Sequence, residues 1–398
     1  MAKLVIGWEL GNGMGHIMPL RMIAESLLKR SHHITFIVRD VSSAEKALRG
    51  LPVKWMQAPQ VRYQPWEMTR TDCYSQFLGN IGFRDIDKLH ASTQGWISLL
   101  RLLKPDAALL EFAPSAMLAC HIENIPTVLQ GNGFFCPPAD NPDQFGIMQK
   151  KLPDEMRAAE DAALLDSVNA VIAIYQGKPF SHISELYAGA SATLLTTFQP
   201  LDHFERKDST DFYGVWVPTQ SAHASWPKGD GKRIFAYLTA RPGVDNVLKM
   251  LAASNLPTLI YCNGLSGKYR IPFVSERCHF IDSLVDIREL AKRADFGIFH
   301  GNHSTSALFL LHGVPSLQIP LYMEQLMFAQ RIKAIGAGEI ATLDQPQRIA
   351  AALNALLTTS DYKTQADKFA EDNKHFDQEK QICRAANRVE AVLKNIER

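Results

Sequence analysis

The sequence lacks long hydrophobic runs and shows no excess of charge of one sign. Its 398 residues include 42 Lys or Arg and 41 Asp or Glu, so the formal net charge is +1. This balance argues against a protein that binds nucleic acid or anionic membranes through a broad basic surface. No stretch approaches the ~18 consecutive apolar residues that span a bilayer, so no transmembrane segment is expected. A peripheral membrane contact is left open.

Cysteine is scarce and dispersed. The six cysteines are Cys73, Cys120, Cys136, Cys262, Cys278 and Cys383. None forms a C-x-x-C pair, which argues against a zinc ribbon or a thioredoxin-type motif. Scattered thiols with no disulfide framework favour a reducing cytoplasm. At the N-terminus, the apolar run Leu4–Trp8 is too short for the core of a secretion signal and is predicted to be a buried strand.

Alternating strand and helix patterns predict an α/β protein. Leu4–Trp8 is followed by a glycine-rich turn, a helical pattern and the β-rich run Ile34–Val38, which together predict a βαβ unit and a parallel sheet. Further strands are predicted at Ala107–Leu110, Thr127–Leu129, Ala170–Ile174 and Thr193–Thr196. A second alternation begins at Ile234.

The length predicts about two domains of ~150–200 residues each. Proline, glycine and serine cluster at about 214–232, as in a linker. We therefore expect an N-terminal Rossmann-like domain at 1–214, a linker at 215–232 and a C-terminal Rossmann-like domain at 233–398. One possibility within this division is that the last helix of the chain packs back on the N-terminal domain.

The turn after the first predicted strand reads Gly11-x-Gly13-x-Gly15-His16. A dinucleotide-binding fingerprint needs Gly-x-Gly-x-x-Gly, and His16 stands in its third place. Histidine titrates near neutrality, so His16 is a candidate general base, with a structural hydrogen-bonded histidine as the alternative. Glu111 ends another predicted strand, where its carboxylate could fix the tautomer of His16 and stabilise the imidazolium, with a solvated acid at a strand end as the alternative that this segment alone favours.

A third pattern follows the predicted strand Phe296–Phe299. The string His300-Gly301-Asn302-His303-Ser304-Thr305 opens a predicted helix, and Glu324-Gln325 follow the next strand. Backbone N–H groups and hydroxyls at a helix N-terminus suit a diphosphate. The two side chains of Glu324 and Gln325 suit sugar hydroxyls.

These motifs resemble those of GT-B glycosyltransferases of the family 1 type, which includes macrolide and secondary-metabolite glycosyltransferases. The family's Gly-His-x-x-Pro start is matched by 15–19. Its donor motif, followed by Gly-Val-Pro and Asp/Glu-Gln, is matched in order by His300, Gly301, Thr305, Gly313, Val314, Pro315, Glu324 and Gln325. The resemblance implies two Rossmann-like doubly wound domains that face a cleft.

The resemblance also implies inverting transfer of a hexose from a nucleoside-diphosphate sugar to an acceptor hydroxyl. His16 would be the base and Glu111 its acidic partner, where Asp is usual. The donor would contact Gly15, His300, Gly301, Asn302, Ser304, Thr305, Glu324 and Gln325. UDP- or dTDP-sugars are the expected co-substrates, with a small-molecule or lipid acceptor and no other cofactor.

The chain departs from the family pattern at several positions. Asn302 and Ser304 stand where two glycines are usual, and the family's upstream Pro-Gln, which contacts the nucleotide base, has no clear counterpart, because Val285-Asp286-Ile287 occupies that region. A sugar-nucleotide epimerase and a non-catalytic sugar-nucleotide binder therefore stay as alternatives.

Two other features of the sequence bear on ligands. The only Asp-x-Asp, at 85–87, is expected to be solvated, so no metal site is expected. The aromatics between Gln57 and Phe83 favour an acceptor pocket formed by loops; they are Tyr63, Trp66, Tyr74, Phe77 and Phe83.

Overall fold

The structure is a computed structural model. It describes residues 1–62, 68, 71–148, 152–207, 212–219, 222, 224–282 and 285–396. The chain forms two compact units. The first contains Met1–Trp216 together with Asp377–Arg398, and the second spans Val217–Phe376.

Each unit is built on a parallel β-sheet. The strands are β1 (Lys3–Trp8), β2 (His33–Val38), β3 (Lys54–Gln57), β4 (Ala107–Glu111), β5 (Thr127–Gly131), β6 (Ala192–Leu195), β7 (Ile234–Thr239), β8 (Thr258–Asn263), β9 (Cys278–Phe280), β10 (Phe296–Phe299), β11 (Ser316–Gln318) and β12 (Gly338–Ile340). The first sheet has the order β3-β2-β1-β4-β5-β6 and the second has the order β12-β11-β10-β7-β8-β9.

Helices connect successive strands in both units. They are α1 (Met14–Leu28), α2 (Val41–Leu48), α3 (Tyr74–Leu78), α4 (Ile86–Leu103), α5 (Pro114–Ile122), α6 (Asp154–Ile174), α7 (Glu185–Ala188), α8 (Val244–Ala253), α9 (Gly267–Arg270), α10 (Ile287–Ala291), α11 (His303–Leu310), α12 (Met323–Ala334), α13 (Pro346–Thr358), α14 (Asp361–Asp372) and α15 (Gln378–Ile396). The predicted fold class is confirmed, because each unit is a doubly wound α/β sheet.

The strand order positions the functional edge of each sheet. All strands are parallel, and successive strands are added on opposite sides of β1 and of β7, so the strand order switches between β1 and β4 in the first unit and between β7 and β10 in the second. Open parallel sheets bind ligands at such switch points, beyond the carboxyl ends of the strands. The turns after β1, β4, β7 and β10 are therefore the places where ligand-binding side chains are expected.

The core of the first unit forms between β1, α1 and α15. Buried residues of α1 recur at helical spacing, as Ile17, Leu20, Ile23 and Leu27 do. Helix α15, at the end of the chain, contributes Ile382, Ala385, Ala386, Val389, Val392 and Leu393 to the same core. Arg30 at the end of α1 also donates to Glu390 at 2.7 Å. The last helix thus belongs to the first unit.

The stretch expected to be a linker contains residues of the second core. Val217 and Trp226 are both buried, and they pack with Phe235, Phe299 and Phe309. The second unit therefore begins at Val217 rather than at 233. The polar and proline-rich composition of this stretch suggested a linker and gave no sign that Val217 and Trp226 are buried in the second core.

One predicted strand is wrong. Residues 170–174 form the last turns of α6, a helix of 21 residues. Its buried residues Leu164, Val168, Val171 and Ile172 follow a period of about 3.6, which the local β-branched run concealed. The length of the amphipathic pattern, rather than the propensity of five residues, decides the structure here.

The Asp-x-Asp pair and the aromatic residues singled out in the sequence lie at or before the start of α4. Asp85 of the Asp-x-Asp pair accepts a hydrogen bond from the N–H of Lys88 and so caps α4. Of the aromatics before α4, Tyr74 and Phe83 are buried and Phe77 is half-buried. Tyr63 and Trp66 lie outside the described residues.

Within the described ranges, no helix has the length and apolarity needed to cross a membrane.

Candidate active site

His16 lies in the first turn of α1, just beyond the carboxyl end of β1. Gly11 in the preceding turn has a φ of +79°, and a Cβ built on it would lie 2.2 Å from Nε2 of His16. Only glycine combines this backbone conformation with the space for the ring. The space that Gly11 leaves is therefore taken by the imidazole of His16.

A buried carboxyl group orients the imidazole. Nδ1 of His16 lies 2.8 Å from Oε1 of Glu111, and the two side chains are 13% and 5% exposed. Glu111 ends β4 beside Trp8 of β1, at the switch point of the first sheet. An ionised carboxylate only accepts hydrogen bonds, so Nδ1 donates and the lone pair of the neutral ring lies on Nε2. This is the arrangement of a general base with an acidic partner.

Three aromatic rings pack on the His16 imidazole. The ring centroids of Trp8, Phe112 and Phe135 lie 5.5, 6.2 and 5.3 Å from its centroid. Phe112 directly follows β4, and Phe135 lies four residues beyond β5. The sequence pattern did not single out Phe112 or Phe135, although an aromatic residue just beyond a strand that ends at the switch point is a usable signal.

Glu9 is a second buried carboxyl group at this edge. It is 5% exposed, and its Oε2 accepts from the N–H groups of Ser115 and Ala116 at 3.0 and 3.4 Å, in the first turn of α5. Burial raises its pKa to about 7, against the lowering effect of these hydrogen bonds and of Arg39. The sequence analysis did not identify Glu9.

In the second unit, His300 follows β10 and is 1% exposed. Its Nδ1 lies 2.7 Å from the carbonyl oxygen of Ile319, so Nδ1 carries a proton. In the described part of the chain its buried Nε2 has no hydrogen-bond partner. Burial lowers the pKa of His300 below its usual value, against the raising effect of the backbone groups of Ile319 and Thr239. The ring is thus neutral near pH 7, with its lone pair on Nε2.

The next residues form the N-terminus of α11. Asn302 has a φ of −62°, which suits any L-residue, and its Oδ1 accepts from the N–H of His300 at 3.1 Å. Asn302 makes no side-chain cap to α11, and backbone amides at a helix N-terminus suit an anion. Ser304 is half-buried, whereas Thr305 is 7% exposed. Ser304 is therefore the more accessible hydroxyl.

Gly301 allows this turn to pack on α12. Its φ is +81°, and an added Cβ would lie 2.8 Å from both the Cβ and the backbone oxygen of Gln325. Gln325 is tied locally as well, since its Oε1 accepts from the N–H of Leu321 at 2.9 Å. Glu324 is half-buried in the first turn of α12. Gly301 and Gln325, which belong to the two halves of the motif, are thus in contact in the structure.

A positive charge that the sequence pattern did not reveal lies beyond β7. Arg241 is exposed, and its Nη2 donates to the hydroxyl of Tyr322 at 2.7 Å. Tyr322 directly precedes α12. Arg241 also acts electrostatically on His300 and contributes to lowering its pKa. The switch point of the second sheet therefore combines an arginine, a neutral histidine and a helix N-terminus.

Gly15 and the predicted absence of a metal site complete the comparison with the sequence analysis. Gly15 is exposed, and a Cβ added to it would meet nothing within 4 Å. In the ranges that the structure describes, no group of three or more His, Cys, Asp or Glu residues is arranged to hold a metal ion.

Solved structures of glycosyltransferases are similar to this chain over nearly its whole length. The calicheamicin glycosyltransferase CalG4 has a TM-score of 0.75 at 16% identity, with 99% of this chain and 98% of that chain covered. The glycosyltransferase VinC in complex with DTDP has a TM-score of 0.70 at 13% identity, covering 99% and 100%. The spinosyn rhamnosyltransferase SpnG complexed with spinosyn aglycone has a TM-score of 0.65 at 14% identity, covering 97% and 100%.

These similarities show that the chain has the GT-B fold. No protein-family model and no curated protein sequence matches the chain. The identities are low, so the activity is argued from the two sites themselves.

The first prediction concerns Gly11. Gly11→Ala places a methyl group where the His16 ring lies, so the ring is displaced from Glu111 and becomes more exposed. Carbethoxylation of His16 by diethyl pyrocarbonate, followed by mass spectrometry, should become several-fold faster. Gly13→Ala is the matched control, because Gly13 has a φ of +95° but no atom within 4 Å of its added Cβ. Equal acceleration in both variants would contradict the assigned role of Gly11.

The second prediction concerns the buried carboxyl group of Glu9. Between its unfolded pKa of 4.5 and its folded pKa of about 7, the folded protein binds more protons, so stability falls as the pH rises. Glu9→Gln removes this loss and should be more stable than the wild type by up to about 3 kcal/mol at pH 8. Urea unfolding at pH 5 and pH 8 measures the difference.

The exposed Glu155 on α6 provides the control for the loss of one negative charge, as Glu155→Gln. A difference between Glu9→Gln and the wild type that is the same at both pH values would show that Glu9 does not titrate in this window.

Proposed function

We propose that this protein is an inverting glycosyltransferase that moves a sugar from a nucleoside-diphosphate sugar to an acceptor hydroxyl. The observation that carries the proposal is the 2.8 Å contact between Nδ1 of His16 and Glu111 at the switch point of the first sheet. It is supported by the GT-B fold and by the helix N-terminus, the arginine and the histidine at the second switch point, which are groups that suit an anion.

The first unit activates the acceptor. Nε2 of His16 takes the proton of the acceptor hydroxyl while the oxygen attacks the anomeric carbon of the sugar. The bond from that carbon to the diphosphate oxygen breaks on the opposite side, so the configuration at the anomeric carbon inverts. Glu111 keeps Nε2 as the accepting nitrogen and stabilises the imidazolium that forms, because its negative charge lies 2.8 Å from Nδ1.

The second unit stabilises the leaving diphosphate. The N-terminus of α11 offers backbone amides and the positive end of its dipole, and Arg241 adds a full positive charge. With these groups present, we propose that transfer does not need a divalent cation. Glu324 and Gln325, at the start of α12, are proposed to bind sugar hydroxyls.

The nucleotide is proposed to be a thymidine or uridine diphosphate. VinC was solved in complex with DTDP and SpnG with thymidine diphosphate, which favours thymidine as the first donor to test. We propose a small-molecule acceptor and a cytoplasmic location, where the six free thiols stay reduced.

The third prediction tests the base. His16→Ala should lower transfer from dTDP-glucose or UDP-glucose by roughly 100- to 10,000-fold, because proton removal is lost. Affinity for the nucleoside diphosphate should stay near that of the wild type. Glu111→Gln should also lower turnover, since an amide holds the ring without stabilising its charge. Product formation is followed by release of the nucleoside diphosphate and by mass spectrometry.

The exposed His33 at the start of β2 gives the control variant His33→Ala. If His16→Ala turned over as fast as His33→Ala, His16 would not be the general base. Nucleoside diphosphate released only with acceptor supports transfer, an epimerised donor would support an epimerase, and binding without turnover would support a non-catalytic binder.

The fourth prediction concerns His300. A phosphate oxygen and the lone pair of Nε2 are both acceptors, so they can meet only if Nε2 gains a proton. Since burial lowers the pKa of His300 in the unbound protein, binding of a nucleoside diphosphate should take up a proton. Affinity should therefore rise as the pH falls from 8 to 6.

Calorimetry in buffers of different ionisation enthalpy measures this uptake. His300→Gln is the matched variant, because its amide donates without titrating, and the uptake should be absent in it. The same uptake in both proteins would assign the proton to the nucleotide and contradict the role of His300.

A further inference from the structure

A row of aromatic rings extends from His16 at the carboxyl edge of the first sheet. Its members are Trp8, His16, Phe112, Phe77 and Phe135, and we call them the aromatic row. The planes of Trp8 and His16 differ by 14°, those of His16 and Phe112 by 12°, and those of Phe112 and Phe77 by 9°. Phe135 stacks on Phe112 with centroids 4.2 Å apart. Trp8, His16, Phe112 and Phe77 are thus nearly parallel, whereas Phe135 is tilted by 38° from His16 and by 26° from Phe112.

The phenylalanines of the row are accessible, whereas the rings behind them are not. Phe77, Phe112 and Phe135 are half-buried, while Tyr74 and Phe134 are buried. The ring centroid of Phe134 lies 5.2 Å from that of Phe77, in an edge-on contact, and 5.6 Å from that of Tyr74, whose ring is tilted. The buried rings thus support a partly exposed aromatic surface next to His16.

Phe112 is held in an unfavourable backbone conformation. Its φ is +45°, in the left-handed region that bulky side chains rarely adopt. Strain of this kind persists only where the surrounding structure holds it, and it is concentrated at functional sites. Here it places the ring beside the imidazole, one residue after the carboxyl group that orients that imidazole.

The segment that carries Phe135 is rigid. Oδ1 of Asn132 accepts from the N–H groups of Phe134 and Phe135 at 3.0 and 3.2 Å. Arg206 donates to the backbone oxygen of Cys136 at 2.8 Å and is itself held by the buried Asp202 at 2.7 Å. The ring of Phe135 is therefore presented in a fixed position, which lowers the entropy lost on binding.

We propose that the acceptor is a flat, fused-ring aromatic compound that stacks on the aromatic row and presents its hydroxyl group to Nε2 of His16. The inference deepens the proposed function and rests on it. Aromatic rings gain energy from stacking in addition to the burial of apolar area. A saturated acceptor of the same size buries area but cannot stack, so the row discriminates by planarity.

A pair of matched alcohols tests this choice. 2-Naphthylmethanol and its fully saturated decalin counterpart have the same carbon skeleton and the same primary hydroxyl group, but only the first is planar. Their Kd values are measured by calorimetry on the full chain without any nucleotide. Wild-type protein should bind the naphthyl compound roughly 10-fold more tightly than the decalin compound, as one or two stacking contacts provide.

Variants locate the effect. Phe135→Leu keeps an apolar side chain and should reduce the ratio of the two Kd values roughly 3- to 10-fold. Phe112→Gly should do the same, and it also relieves the strain at φ +45°, so loss of folding is not expected. Trp55→Leu is the control, because Trp55 is a half-buried aromatic residue on β3, outside the row.

The outcomes separate this inference from the proposed function. A ratio near one in the wild type, no measurable binding of the naphthyl compound, or a ratio unchanged in Phe135→Leu and Phe112→Gly would overturn the inference. Transfer from a nucleotide sugar to a saturated alcohol in preference to the aromatic one would also overturn it and leave the proposed function intact. Selective naphthyl binding by a protein that transfers no sugar would instead contradict the proposed function.

Discussion

The hydrogen bond between His16 and Glu111 is the contact on which the account of this protein depends. The two residues are 95 positions apart, and they meet because β1 and β4 are neighbours at the switch point of the first sheet. The turn at Gly11 gives the ring its space. Trp8, Phe112 and Phe135 restrict the ring on its other sides. A histidine held in this way has a defined tautomer, and that turns a common side chain into a candidate base.

The second unit uses the same sheet topology for a different purpose. At its switch point it places the N-terminus of α11, the buried His300 and the exposed Arg241. These groups favour an anion without a basic surface patch, which agrees with the net charge of +1. In the proposed reaction, the first unit removes a proton and the second binds a leaving group that carries negative charge.

Sequence reasoning reached the fold class and identified His16 and Glu111 because each of these residues follows a local pattern, although their contact comes from the pairing of β1 with β4. Strands that end at a glycine turn or at a lone acid show which side chains lie at the carboxyl edge. It did not reach Arg241, Glu9, or Phe112 and Phe135 of the aromatic row, because their importance comes from contacts between segments distant in the chain. The error at residues 170–174 has the opposite origin, since local β-propensity outweighed a helical period that extends over all of α6.

The most direct test of the central claim is the tautomer of His16 in the unbound protein. Nitrogen-15 NMR of histidine-labelled protein near pH 7, assigned by comparison with His16→Ala, reports which ring nitrogen carries the proton. We expect Nδ1 to be protonated and Nε2 not, and we expect this preference to be lost in Glu111→Ala. A neutral ring with its proton on Nε2 would rule out His16 as the base, because that nitrogen could not then accept the proton of an acceptor hydroxyl.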